Sequence, residues 1–226
     1  MVRLILASSS PQRKRLLHQA GYQFEAFSPS LQAECGVCSG ESPPELVARL
    51  AFQKAADVAR RLGFEAPNPM ASDGGLSEPH SNRAESSPSA LASSDDLVIL
   101  GCDTVAECVG HILGKPSDAD HAKQMLELLS GRVQHVYSGV CLIREPAREP
   151  HVRVAVTRLR MDALTSAQID EYVASGAWEG KAGGFGYQDR VGWLHIEDGS
   201  ESNVIGLPLE LVSEMLTTLK PAAPDA

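Results

Sequence analysis

The sequence predicts an α/β fold with a mixed sheet, and three observations carry that prediction. Short apolar runs of strand length alternate along the chain with segments whose apolar residues recur at helical spacing. A hairpin pattern, "VAECVGHILGKP", is followed by two strand-like runs, "VQHVYSGVCLI" and "HVRVAVTRLRM", joined by a Pro-containing loop. The chain has 226 residues, 43% of them hydrophobic and 22% charged, which is enough to bury a sizeable core.

Taken in order, Leu4–Ala7 is a short apolar strand, and a helix starts near Pro11. In "ESPPELVARLAFQKAADVARRLG", Ser42 is the N-cap, Pro43 takes the first helical position, Glu45 completes a capping box and Gly63 ends the helix. Residues 67–94 are rich in Ser, Pro, Gly and Ala and lack Val, Ile, Phe, Tyr and Trp. Such a segment buries too little apolar surface to offset its ordering entropy, so it reads as a flexible insertion in a single domain spanning 1–226. "DLVILGCDTV" has the unbroken apolar run of a buried strand, followed by the hairpin turning at Gly110-His111. "SDADHAKQMLELLSG" is a capped helix. After the two long strands, "LTSAQIDEYVASG" has Thr165 as N-cap, Gln168 as its box partner and Gly176 as the stop. A glycine-rich loop, the strand "GWLHIE" and a helix beginning near Pro208 complete the pattern.

A net charge of -9 and a pI near 5.2 argue against a grip on a nucleic-acid polymer, which needs an extended basic surface. They leave room for a small anion in a local basic pocket. Five scattered cysteines, an odd number in a chain of this size, read as free thiols in a reducing compartment. No run approaches the ~20 apolar residues of a membrane span. The apolar part of "MVRLILAS" is shorter than a secretory core, so the expected location is the cytoplasm.

Several residues have chemistry to offer. In "LASSSPQRKRLL", a strand ends in three serines before a helix, where free N–H groups, the helix dipole and the hydroxyls of Ser8, Ser9 and Ser10 favour an anion. Arg13 in the first turn has the fork that suits phosphate. A plain N-cap at Ser10, with Arg13, Lys14 and Arg15 on a solvated face, fits the pattern as well. Lys54 falls on one helical line with Val47 and Val58, in the stripe that should face the protein. Buried there it needs an anionic partner; snorkelling is the alternative. Asp103 directly follows the strand Leu97–Leu100, where α/β proteins gather their ligand sites, although it could instead cap a turn with Thr104. If Val109 pairs with Ile112, the register sets Lys115 opposite Ala106, about three residues or ~10 Å from Asp103. "GKAGGFGYQ" lacks the spacing of a P-loop or a dinucleotide fingerprint, and its glycines serve either a flat ligand or simple turns. Cys35-x-x-Cys38 has half of a zinc site's spacing and no second pair, and no cysteine has a paired base at recognisable spacing. His135 in "VQHVYSG" reads as a structural, hydrogen-bonded histidine.

In sequence, "LASSSPQRKRLL", "GESPPELVARLAFQKA", "GCDTV", "GKP", "LSGRVQHVYSGV", "AQIDEYVASG", "GKAGGFGYQ" and "SNVIGLPLELV" resemble the Maf family of nucleoside triphosphate pyrophosphatases. The resemblance spans nearly the whole chain outside the insertion. It implies an elongated, twisted mixed sheet with flanking helices and two lobes around a central cleft, often in a homodimer. It implies hydrolysis of a nucleoside triphosphate to the monophosphate and pyrophosphate with Mg²⁺ or Mn²⁺. By the same resemblance Asp103 is the catalytic proton acceptor, Ser8, Arg13, Lys54 and Lys115 contact phosphates, and Asp103 with Glu34 supplies the metal ligands. Thr104 and Gln188 fit the branch acting on dTTP and UTP rather than the one acting on 7-methyl-GTP. Gln12 stands where the dTTP/UTP branch usually carries arginine. The reading from a different class is a nucleotide-binding regulator of cell division that turns nothing over; the presence of Asp103 argues for the enzyme.

Overall fold

The computed structural model describes residues 2–34, 40–64, 97–145, 149–189 and 191–219. The insertion at 67–94 and Cys35-x-x-Cys38 lie outside the described residues. For Glu34 and Gln188 the description reaches the backbone alone.

Among the described residues, seven strands form one mixed sheet: β1 (Arg3–Ala7), β2 (Glu25–Phe27), β3 (Leu97–Cys108), β4 (His111–Leu113), β5 (Val133–Glu145), β6 (Pro150–Met161) and β7 (Leu194–Asp198). Their order is β2-β1-β3-β5-β6-β7, with β4 also on β3. β2, β1 and β3 run parallel, whereas β5, β6 and β7 add antiparallel neighbours. The helices are α1 (Pro11–Gln19), α2 (Pro43–Arg61), α3 (Ala119–Leu129), α4 (Ser166–Ala174), α5 (Glu201–Ile205) and α6 (Leu209–Thr218).

The two-residue period of the strands divides the core. Leu4, Leu6, Val98, Leu100, Val140 and Leu142 face α1 and α6, meeting Leu16, Leu17, Leu211 and Met215. Ile5, Ala7, Ile99, Cys141 and Ile143 point the other way, onto Ala51, Ala55, Val58 and Ala59 of α2. This second packing is very close. A Cβ added at Gly101 would overlap the Ala51 carbonyl oxygen, and one at Gly139 the Val47 carbonyl. Glycine is needed at both positions because backbone approaches backbone.

The expected caps are present. The Glu45 carboxylate accepts from the Ser42 N–H at 2.9 Å, and the Thr165 N–H donates to Gln168 Oε1 at 2.9 Å. His135 Nδ1 lies 3.3 Å from Glu107 Oε2, which fits a structural role. Three local expectations change. The hairpin turns at Val109-Gly110, because Cys108 pairs with His111. Both turn residues have positive φ (53° and 79°), the geometry of a tight two-residue turn, which a β-branched valine adopts under strain. Asp103 sits inside β3 rather than beyond its end, since pairing with β5 continues from Leu97 to Glu107. Helix α5 was not expected. Ser and Asn are weak helix formers, and tertiary bonds support the segment: buried Asn203 donates to the Val136 carbonyl (3.1 Å) and to Thr157 Oγ1 (2.9 Å).

Candidate active site

The site begins as a gap in the sheet. β1 pairs with β3 as far as Gly101, and β4 takes up the same edge of β3 at Ala106. Between them the edge at 102–105 has no neighbouring strand among the described residues. A cleft of about 800 Å³ opens there, and Ser8, Gln12, Arg13, Lys54, Asp103, Thr104 and Lys115 all line it.

At its floor, Lys54 Nζ of α2 donates to Asp103 Oδ1 at 2.7 Å. Both residues are buried, at 7% and 9% exposure. The lysine on the inward stripe of α2 thus meets the carboxylate of β3. An ion pair at this depth is not cheap stability: desolvation offsets much of its attraction, whereas loss of either partner strands a charge.

The hydroxyl-rich loop after β1 forms one rim. The Ser10 N–H donates to Ser8 Oγ at 3.1 Å, and Ser10 Oγ caps α1 by accepting from the Arg13 N–H at 3.4 Å. The cap and the cleft-lining position therefore coexist. Gln12 Oε1 accepts from Ser10 Oγ at 3.0 Å. Arg13 turns its guanidinium onto protein acceptors: Nε to the Gly206 carbonyl (2.8 Å), Nη1 to the Cys102 carbonyl (2.8 Å) and Nη2 to Thr104 Oγ1 (3.2 Å). It is not on a solvated face; it ties α1 to β3 and to the end of α5. The Thr104 hydroxyl also lies 2.7 Å from Ser138 Oγ and 3.2 Å from the Gly206 carbonyl. Lys115 is exposed and has no ion-pair partner among the described residues. Since Cys108 pairs with His111, extending that register brings position 115 level with Thr104 instead of Ala106, two residues nearer Asp103.

The opposite rim is the glycine-rich loop noted in the sequence, but its Lys181, Tyr187 and Asp189 were not named there. Lys181, Gly186 and Tyr187 of the glycine-rich loop line the cleft. Asp189 latches this loop: it pairs with Lys181, accepts from the Tyr172 hydroxyl at 2.6 Å and takes the Gly186 N–H at 3.2 Å. Burial and the neighbouring carboxylate push the Tyr172 phenol well above its ordinary pKa, so it serves as a donor. Tyr172, Phe185 and Trp193 pack with ring centroids 5.1–5.9 Å apart behind the loop. The signal for this rim was the lysine heading "GKAGGFGYQ" and the aspartate directly after it.

Among the described residues no three His, Cys, Asp or Glu side chains cluster in a way that could hold a metal alone. A divalent cation of the Mg²⁺ type needs less, because one or two carboxylates and the substrate's phosphates complete its shell. Asp103 in a cleft with cationic walls fits that requirement. The buried thiol of Cys102 is raised in pKa by burial and takes no part.

The Maf-like protein family model matches residues 3–219. A dTTP/UTP pyrophosphatase of Rhodopirellula baltica is 47% identical over 214 residues, covering 94% of this chain and 80% of that relative. The dTTP/UTP pyrophosphatases of Agathobacter rectalis and Agrobacterium fabrum are 34% and 35% identical, over 97% and 95% of this chain and 98% and 91% of their own. By sequence over nearly its full length, the chain belongs to the Maf-like protein family.

Proposed function

We propose that this chain is a nucleoside triphosphate pyrophosphatase that hydrolyses the α–β phosphoanhydride of dTTP, UTP or modified pyrimidine nucleotides. The observation that carries the reading is the buried Lys54–Asp103 pair at the floor of a cleft with Ser8, Arg13 and Lys115 at its walls. Lys54 holds Asp103 by Oδ1 and fixes its orientation. The other oxygen takes a proton from a water molecule as that water attacks the α-phosphorus. The bond from this phosphorus to the bridging oxygen breaks, and pyrophosphate and the nucleoside monophosphate leave. Negative charge grows on the equatorial oxygens during attack, and positioned cations stabilise it more than they stabilise the ground state. A carboxylate is a weak base toward water. A divalent cation, Mg²⁺ or Mn²⁺, held by Asp103, the phosphates and Glu34, would acidify the water and neutralise the leaving group. Gln12, Thr104 and Gln188 are the proposed determinants of base choice.

The proposal extends to a cytoplasmic location. Cys102, Cys108 and Cys141 are free and buried, and no described helix is long and apolar enough to cross a membrane. A homodimer rests on the family resemblance, and the mass in solution checks it. The activity is tested by pyrophosphate release from a panel of nucleoside triphosphates with Mg²⁺ or Mn²⁺, before and after chelation. Turnover of dTTP and UTP that stops on chelation is expected. Folded protein that releases pyrophosphate from none of them overturns the reading.

A further inference from the structure

Gln134 on β5 lines the cleft and is 95% buried, at 5% exposure. Its Nε2 atom is sealed from solvent and has no acceptor among the described residues. A buried donor without a partner costs about 1–3 kcal/mol, so an apolar residue would serve the fold better at this position. The cleft wall around it is apolar, formed by Val136, Leu159, Leu194, Phe185 and Val204. Apolar walls with one polar group suit a flat, weakly polar ring rather than a phosphate chain. The place along the sheet agrees. Asp103 pairs with Gly139, and Gln134 lies five residues further along β5, about 16 Å; the odd separation sets the two side chains on opposite faces of the sheet, and both line the one cleft that opens at the 102–105 edge of β3. Ribose, base and the glutamine side chain together bridge that length when the α-phosphate is at Asp103. The last side-chain torsion of glutamine is soft, so the amide turns toward a ring at little cost.

Resting on the function proposed above, the geometry points to Gln134 as a specificity-determining residue whose amide N–H donates to the 4-carbonyl of a uracil or thymine ring. The sign of the orphan atom makes the choice. A free donor matches the carbonyl of uracil, whereas cytosine presents an amino group at that position and leaves two donors facing each other.

The experiment measures kcat and KM for UTP and CTP with wild-type protein, Gln134→Leu and Gln134→Glu, alongside thermal unfolding. In Gln134→Leu, KM for UTP rises about tenfold, the worth of one hydrogen bond, with kcat nearly unchanged. The UTP-to-CTP preference falls by a similar factor, and the unfolding midpoint holds or rises because the orphan donor is gone. Gln134→Glu replaces donor with acceptor and shifts preference further toward CTP. An unchanged UTP-to-CTP ratio in both variants overturns this assignment alone. Equal losses on both substrates with a lowered unfolding midpoint do the same, since they mark a structural role. Wild-type protein inactive on every nucleotide overturns the function and this assignment together.

Discussion

The floor and the far rim of the cleft are held in opposite ways. At the floor, regular elements touch backbone to backbone: α2 rests on Gly101 and Gly139, and Lys54 and Asp103 emerge from the middle of a helix and a strand. At the rim, the loop from Gly180 to Asp189 contains glycines with positive φ; the polar contacts of the Asp189 carboxylate latch it, beside the Gly183 N–H bond to the Gly114 carbonyl and the packing of Phe185 on Tyr172 and Trp193. A floor of this kind fixes reacting groups to within a fraction of an ångström because helix and strand are over-determined by packing. A loop without strand or α-helix, latched through one side chain, opens locally at lower free energy than the core. The difference places chemistry on the rigid side and ligand entry on the softer one.

The strongest way to break this comparison is Asp103→Asn. Asparagine keeps the shape and still accepts from Lys54, but it no longer balances the buried lysine charge, so stability should fall. In protein that remains folded, turnover should fall about 10²–10⁴-fold in a pyrophosphate-release assay. A variant that keeps its turnover removes the Asp103 carboxylate from catalysis.

Next are two glycine substitutions. Gly139→Ala drives a methyl group into the Val47 carbonyl, and α2 has to move; a loss of about 3 kcal/mol or more is expected in chemical denaturation. Gly180→Ala meets nothing within 4 Å and suffers only from its φ of 72°, for about 1–2 kcal/mol. Equal losses at the two positions would contradict the contrast between close packing and latch.

A smaller effect is expected from Asp189→Asn, which weakens the bonds to Lys181, Tyr172 and Gly186 together. KM should rise about tenfold with a lesser change in kcat, and proteolysis should nick the loop faster. The smallest is Gln12→Arg. Gln12 is exposed at the rim and bonds only locally to Ser10 among the described residues, so stability should hold while the ranking of nucleotides shifts a few-fold. An unchanged ranking removes Gln12 from base selection.

Much of the site was legible where the signal is periodic. Lys54 stood out because a helix repeats every 3.6 residues, and a lysine in line with Val47 and Val58 either meets an anion or snorkels to the surface. The capping boxes at Ser42 and Thr165 were legible for the same reason, since donor and acceptor lie three residues apart. The hairpin was misplaced by one residue, because its turn depends on cross-strand pairing that carries Val109 into positive φ. Arg13 read as cationic but not as a clamp, since one acceptor, Gly206, is 193 residues away. Gln134 gave no signal at all: an amide inside a strand looks the same whether its partner is a neighbour, a ligand or nothing.

The sequence by itself determined most of the helices and strands, α5 and β2 excepted, the face of α2 that turns inward, and that Lys54 needs an anion if it is buried there. Those are consequences of local spacing and of the cost of an isolated charge. The tertiary structure alone decided that Lys54 is buried against Asp103, that the edge of β3 at 102–105 has no neighbouring strand among the described residues, and that Gln134 lines the cleft with a buried donor that has no partner among them. Strand order and register join residues far apart in the chain, and no local pattern encodes the distance between them.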